Sequence, residues 1–180
     1  MLILASKSPR RQELLKFITE NFSVKSAEVD ETLKENISPS EAVLYLSKIK
    51  AEPFRNEKDT VIGADTVVAI NGKILGKPKD ENEAMTMLKL LSGREHSVFT
   101  GVTIIKGNKE KSFFCETKVK FFELTDDMIK TYVATGEPFD KAGGYGIQGY
   151  GCLLVESIEG DYFNVVGLPV SRLNQSLCNF

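Results

Sequence analysis

The chain has 180 residues, 42% of them hydrophobic, with 23 lysines and arginines against 25 aspartates and glutamates and a formal net charge of −2. That length and composition predict one α/β domain over residues 1–180 with a core large enough to fold alone. The charge argues against broad nucleic-acid or anionic-membrane binding, which leaves a basic footprint, so any polyanion must meet a local basic site.

The first element is a short apolar strand, Leu2–Ala5, that turns at once into a helix. Ser8 is a preferred N-cap and Pro9 suits the first helical position, while Arg10 and Arg11 fall in the first turn, where the helix dipole disfavours cations. An anion is expected to compensate. Unpaired backbone N–H groups and two guanidinium forks suit a polyphosphate, the plain alternative being two solvated arginines. Next, 22–29 alternates loosely as a strand and ends at Asp30-Glu31-Thr32. Ser38-Pro39-Ser40-Glu41 reads as a capping box opening a helix with Val43, Leu46 and Ile49 on one face and Lys50 at its edge. Residues 60–70 form a β-branched run, and Asn71-Gly72 gives a hairpin signal into Lys73-Ile74-Leu75.

Asp80 predicts the cap of a third helix through Leu91, closed by Gly93. Two long strands, 98–106 and 111–123, flank a turn at Gly107-Asn108-Lys109, and Thr125 caps a short helix ending near Gly136. A glycine-dense loop, 143–151, follows, then a strand over 152–158 that reads as buried and a last helix entered through Gly167-Leu168-Pro169. Cys115, Cys152 and Cys178 are odd in number and widely spaced, which suggests neither a disulfide framework nor a zinc site. With an N-terminal apolar run too short for a signal segment, the expectation is a cytoplasmic protein.

Asp65 is the sharpest single position. A carboxylate inside Val61-Ile-Gly-Ala-Asp-Thr-Val-Val68 is costly to bury unless it is paired, hydrogen-bonded or on a metal, and Gly63 leaves room for a close approach. If Asp30 and Glu31 converge with it, two or three oxygens can hold a hard divalent ion and leave sites for water and phosphate. Lys77 follows a strand and Lys141 stands before the glycine loop; with Lys50, Arg10 and Arg11 they make a phosphate clamp in an otherwise acidic chain. The match of Gly144-x-Gly146-x-x-Gly149 to a dinucleotide fingerprint is weak, because Asp140-Lys141 and not an apolar strand precedes it. Gln148, at its centre, carries both an acceptor and a donor for the edge of a base. His96, the only histidine, reads as structural or exposed.

Taken in order, Ser6-Lys-Ser-Pro-Arg-Arg-Gln-Glu-Leu-Leu15, Gly63-Ala-Asp-Thr66, Gly76-Lys-Pro78, Leu91-Ser-Gly93, Asp140-Lys-Ala-Gly-Gly-Tyr-Gly-Ile-Gln-Gly149 and Val166-Gly-Leu-Pro169 resemble the Maf, or septum formation inhibitor, family along essentially the whole chain. The resemblance implies an α/β fold akin to the inosine triphosphate pyrophosphatases: an elongated, mixed, twisted sheet flanked by helices, with the ligand cleft between two lobes. It implies hydrolysis of nucleoside triphosphates between the α- and β-phosphates with a divalent metal, Mg²⁺ or Mn²⁺. Asp65 matches the family's general base. Ser6, Arg11, Glu31, Lys50 and Lys77 match other active-site positions, and Lys141 lies in the glycine motif. Arg10, Thr66 and Gln148 match the specificity positions of the branch acting on dTTP and UTP.

The mechanism expected from this has Glu31 and Asp65 holding the metal with phosphate oxygens, while lysines and Arg11 stabilise departing pyrophosphate. Whether Asp65 is base, ligand or both stays open at this level. A rival reading is a nucleotide-binding regulator of division without turnover, for which an acidic residue beside phosphates has no use. A second is a phosphatase releasing orthophosphate, which only the product excludes. Long paired strands suit a homodimer.

Overall fold

The computed structural model describes residues 1–180, and its centre is a seven-stranded mixed sheet with helices on both faces. In chain order the elements are β1 (Leu2–Ala5), α1 (Pro9–Leu15), β2 (Phe22–Lys25), α2 (Pro39–Ala51), β3 (Thr60–Ile70), β4 (Lys73–Leu75), α3 (Glu81–Leu91), β5 (Glu95–Lys106), β6 (Lys109–Phe121), α4 (Asp126–Val133), β7 (Val155–Glu159), α5 (Tyr162–Val166) and α6 (Val170–Cys178). Strands run in the order β2-β1-β3-β5-β6-β7, with β4 also on β3. No helix is long and apolar enough to cross a membrane.

Local chemistry sets most boundaries. The capping box is formed at Ser38, whose hydroxyl accepts from Glu41 N while the Glu41 carboxylate accepts from Ser38 N. Asp80 and Thr125 cap α3 and α4 through the side chain alone, accepting from Glu83 N and Met128 N. Asn71 and Gly72 both take positive φ, 52° and 75°, as a two-residue hairpin joining β3 to β4 requires.

Several limits differ from the sequence expectation. β2 stops at Lys25, not at residue 29, because its one neighbour, β1, offers only four paired positions. The two long strands begin earlier than expected and form one register from Glu95↔Lys120 to Lys106↔Lys109. Residues 149–154 are drawn into a 3₁₀ turn, so β7 starts at Val155, and as an edge strand on β6 it is mostly exposed rather than buried. The five-residue helix α5, capped by Asp161, carries too little periodicity to announce itself.

The arrangement of β3 creates the site. One edge of β3 pairs along nearly its whole length with β5, from Val61↔Ile105 to Ala69↔Ser97. The other edge is shared: β1 runs parallel to it through Ile62, and β4 runs antiparallel from Val68. Residues 63–67 between them have no strand neighbour on that edge. This gap is a switch in neighbour and direction, the kind of place where open α/β sheets take ligands. Two hydrophobic clusters meet there. One gathers Ile62 and Ala64 with α1, α5 and α6, and the other gathers Val68 and Ile70 with α3, α4 and Tyr145. The expected cleft between two lobes is the groove between these cores.

Candidate active site

The groove is a cleft of about 910 Å³ lined from one side by 5–11, 26–29 and 165–167, and from the other by 74–77, 140–142 and 145–148. Six basic side chains and four carboxylates line it. It therefore has two positive charges in surplus, in a chain whose formal charge is −2. Ser6, Arg10, Arg11, Glu31, Lys50, Asp65, Thr66, Lys77, Lys141 and Gln148 all lie on this cleft, and Asp30 does not.

Alternation along β3 sends Asp65 and Thr66 to opposite faces of the strand. Asp65 faces α2, in line with Val61 and Val67, which pack on Ala51 and on Val43 and Leu46. Gly63, on the same face, and Gly101, paired across from Asp65, let α2 approach so closely that a Cβ on either would strike the helix backbone, at Ser47 and Val43 respectively. That approach brings Lys50 to the site. Its ammonium lies 2.5 Å from Asp65 Oδ1 and 3.1 Å from Glu31 Oε1. No protein group bonds to Asp65 Oδ2.

Two carboxylates from separate elements converge on one cationic centre, with the Lys50 ammonium as the stand-in ion. Hard oxygen donors in that number fit an ion that keeps water and phosphate as its other ligands. Three or more acidic, histidine or cysteine side chains never gather at one point, so the protein alone supplies only part of a coordination shell. Asp30 does not join Glu31 and Asp65. It is exposed, and its carboxylate accepts from Thr32 N at 2.9 Å in its own loop.

Thr66, on the other face, meets Arg11. The guanidinium donates from Nε to the Gly167 carbonyl at 2.9 Å, from Nη1 to Ser6 Oγ at 3.3 Å and from Nη2 to Thr66 Oγ1 at 3.0 Å. Burial pulls its pKa below the ordinary arginine value, against the raising effect of Asp65. Arg11 is thus built into the cleft wall, not one half of a flexible basic pair. Arg10 turns away from it and crosses the groove to Asp140 Oδ2 at 2.9 Å, and Lys141 Nζ holds the other Asp140 oxygen at 2.6 Å. Burial works against the charged form of Asp140, but the bonds from Lys141 and Arg10 outweigh it and hold the carboxyl below its usual range. Lys77 and Gln148 are exposed, and neither side chain has a protein partner.

Sequence reasoning missed the Gly167 carbonyl and the Asp140 bridge as parts of the site. Gly167 lies 156 residues from Arg11, and nothing local to either announces the contact.

The glycine segment folds as consecutive 3₁₀ turns, not as a strand-to-helix phosphate loop, which removes the dinucleotide fingerprint. It is pinned from below by His96, whose Nε2 sits 2.6 Å from the Tyr145 hydroxyl with Phe121 edge-on at 5.0 Å. His96 is structural and buried, and burial lowers its pKa to about 4. The unfolded chain, with an ordinary imidazole, binds a proton at higher pH than the folded one, so this stability is full above pH 6.5 and is lost as pH falls toward 4. The expected loss over that window is about 3 kcal/mol. Thermal melts of wild type and His96→Gln at pH 7 and pH 4 check it; equal acid sensitivity of the two would remove His96 as the cause.

The family model for Maf-like protein matches residues 1–180. The chain belongs to the Maf family. Among curated relatives of this Maf chain, a protein of Carboxydothermus hydrogenoformans named dTTP/UTP pyrophosphatase is 56% identical over 180 residues, covering 98% of the chain and 96% of the relative. One of Bacillus pumilus with the same name is 50% identical over 181 residues, covering 99% and 96%. In fold, the Maf chain is similar to a Ham1 protein from Coxiella burnetii, with a TM-score of 0.58 at 12% identity over 99% of this chain and 98% of that one. The Ham1 protein of Staphylococcus aureus gives 0.50 at 18% identity over 83% and 77%.

Proposed function

We propose that this chain hydrolyses dTTP and UTP between the α- and β-phosphates, giving the nucleoside monophosphate and pyrophosphate. The observation that carries the reading is Asp65: a buried carboxylate, ion-paired through one oxygen, open through the other, at the only stretch of β3 that lacks a strand neighbour on one edge. The names of relatives at 50–56% identity supply the substrates.

In this mechanism Asp65 Oδ2 orients a water and takes its proton as the oxygen attacks the α-phosphorus. The bond from that phosphorus to the bridging oxygen breaks, and pyrophosphate leaves with the bond's electron pair. Lys50 holds Asp65 in place through Oδ1. Arg11 presents its remaining N–H groups to the phosphates in a fixed orientation, and Lys77, unpaired in the cleft wall, meets the charge that builds on the leaving group. Glu31 and Asp65 would hold a divalent cation together with phosphate oxygens, which supplies Lewis-acid polarisation of the α-phosphate.

Gln148 is assigned to the base. Its amide is uncharged, has no protein partner and is exposed in the cleft, and it can satisfy both a carbonyl and an N–H on a pyrimidine edge. Gln148→Glu removes the donor and sets a charge against the carbonyl oxygens. The expected cost is about ten- to a hundredfold in kcat/KM for UTP and dTTP, with a smaller loss for GTP. An equal fall for all three would mean that Gln148 supports the loop and does not read the base.

The reaction itself is tested by incubating a panel of nucleoside triphosphates with Mg²⁺ or Mn²⁺ and separating pyrophosphate from orthophosphate among the products. Pyrophosphate from UTP and dTTP is expected. Orthophosphate as the first product would replace the reading with a phosphatase.

A further inference from the structure

Thr100 lies on β5, fully buried, and its hydroxyl donates to the Asn164 carbonyl at 2.8 Å. A carbonyl oxygen can only accept, so the one Thr100 proton is committed there. Thr66 Oγ1 lies 2.9 Å from Thr100 Oγ1. With the Thr100 proton used, Thr66 must be the donor of that bond. Arg11 Nη2 donates to Thr66 Oγ1 and occupies one of its lone pairs. Thr66 therefore shows the cleft a single free lone pair and no proton.

The far end of the chain is held equally firmly. Asn164 is wholly buried, and its amide donates to the Val98 carbonyl and to Thr117 Oγ1, each at 3.0 Å. Thr117 in turn donates to the Asp161 carbonyl at 3.0 Å. The direction of the Thr66 hydroxyl is set by Thr100, Asn164 and Thr117, none of which lines the cleft.

An ionised triphosphate carries oxygens that accept hydrogen bonds and none that donate. An acceptor-only hydroxyl is therefore useless to the phosphates, and Thr66 lies on the face of β3 away from Asp65 and its water, so the donor it faces is placed on the nucleoside. dTTP and UTP share two such donors, the base N3–H and the 3′-hydroxyl. We propose that Thr100 is a positioning residue for substrate selection: anchored on the Asn164 carbonyl, it fixes Thr66 as an acceptor for a nucleoside N–H or O–H. This rests on the nucleotide reading above and goes beyond it by assigning the direction of one hydrogen bond and the buried residue that sets it.

The test compares kcat/KM for UTP, 3-methyl-UTP and 3′-deoxy-UTP on wild type, Thr100→Ser and Thr100→Val. Wild type is expected to lose about tenfold or more on the analogue whose missing donor Thr66 receives; because Gln148 also meets the base N–H, the analogue whose penalty depends on Thr100 is the one that tells base from sugar. Thr100→Ser keeps the hydroxyl and should keep that ratio. Thr100→Val keeps the shape but removes the acceptor, so the Thr66 proton can turn into the cleft, and the ratio should collapse to within about threefold. Should the valine variant fail to fold, Thr100→Ala carries the same expectation. A wild type indifferent to both analogues overturns the proposal, as does a folded Thr100→Val that discriminates like wild type. A wild type that releases no pyrophosphate from UTP overturns the nucleotide reading itself.

Discussion

Asp65→Asn is expected to leave a folded protein that has lost at least about a hundredfold in kcat, the usual cost of removing a general base. The amide is nearly isosteric, and its oxygen can still accept from Lys50, which also keeps Glu31 as a counter-charge. The melting temperature should therefore stay close to that of wild type. Removing one carboxylate makes the cleft more positive but also weakens the hold on a divalent cation shared with Glu31, so the measurement is made at saturating Mg²⁺ and UTP. The signature is a fall in kcat that excess metal and substrate do not restore, which separates a group acting in the transition state from one that merely binds. Pyrophosphate release under saturating UTP measures it; turnover within a few-fold of wild type would end the assignment of Asp65.

Gly63→Ala should show the largest effect on stability. The added methyl would collide with the Ser47 carbonyl and sit 2.9 Å from Ala51 Cβ and 3.0 Å from Ala51 N, all in α2. Those atoms are helix backbone and core, and they cannot swing aside as a flexible side-chain end would. Overpacking of this kind costs typically 1–3 kcal/mol and occasionally more, and the backbone clash puts this site at about 3 kcal/mol or above. For a chain of this size that corresponds to a drop of roughly 10 °C in melting temperature. Because α2 carries Lys50, relief of the clash also draws the ammonium away from Asp65, so activity should fall with stability. A variant that melts with wild type would show that α2 does not press on β3 as described.

Much of the site was legible from local chemistry. The cap at Ser8, the capping box at Ser38 and the improbable carboxylate in the 60–70 run each announce themselves within a few residues, and all lie where expected. Gly63 signalled a close approach without saying of what, because a missing side chain does not name its neighbour. The contacts that give Arg11 its role could not be read in advance, since they join residues 5, 55 and 156 positions away through a carbonyl and two hydroxyls with no distinctive pattern. The strand over 152–158 was misplaced for a related reason. Its apolar residues look like core, yet the glycines before it curl 149–154 into a turn and leave the remainder on a sheet edge.

β3 and β5 pass through both hydrophobic cores without a break. A continuous pair of strands resists hinging at that point, because a sharp bend would break the ladder that both cores are built on. The floor of the cleft is therefore set before any ligand arrives, and the proposed base on it should need no large rearrangement. At the rim the Arg10–Asp140 pair is an ionic tie across the groove. Entry and release should thus be governed by the making and breaking of a partly exposed ion pair, a fast event that ionic strength can tune.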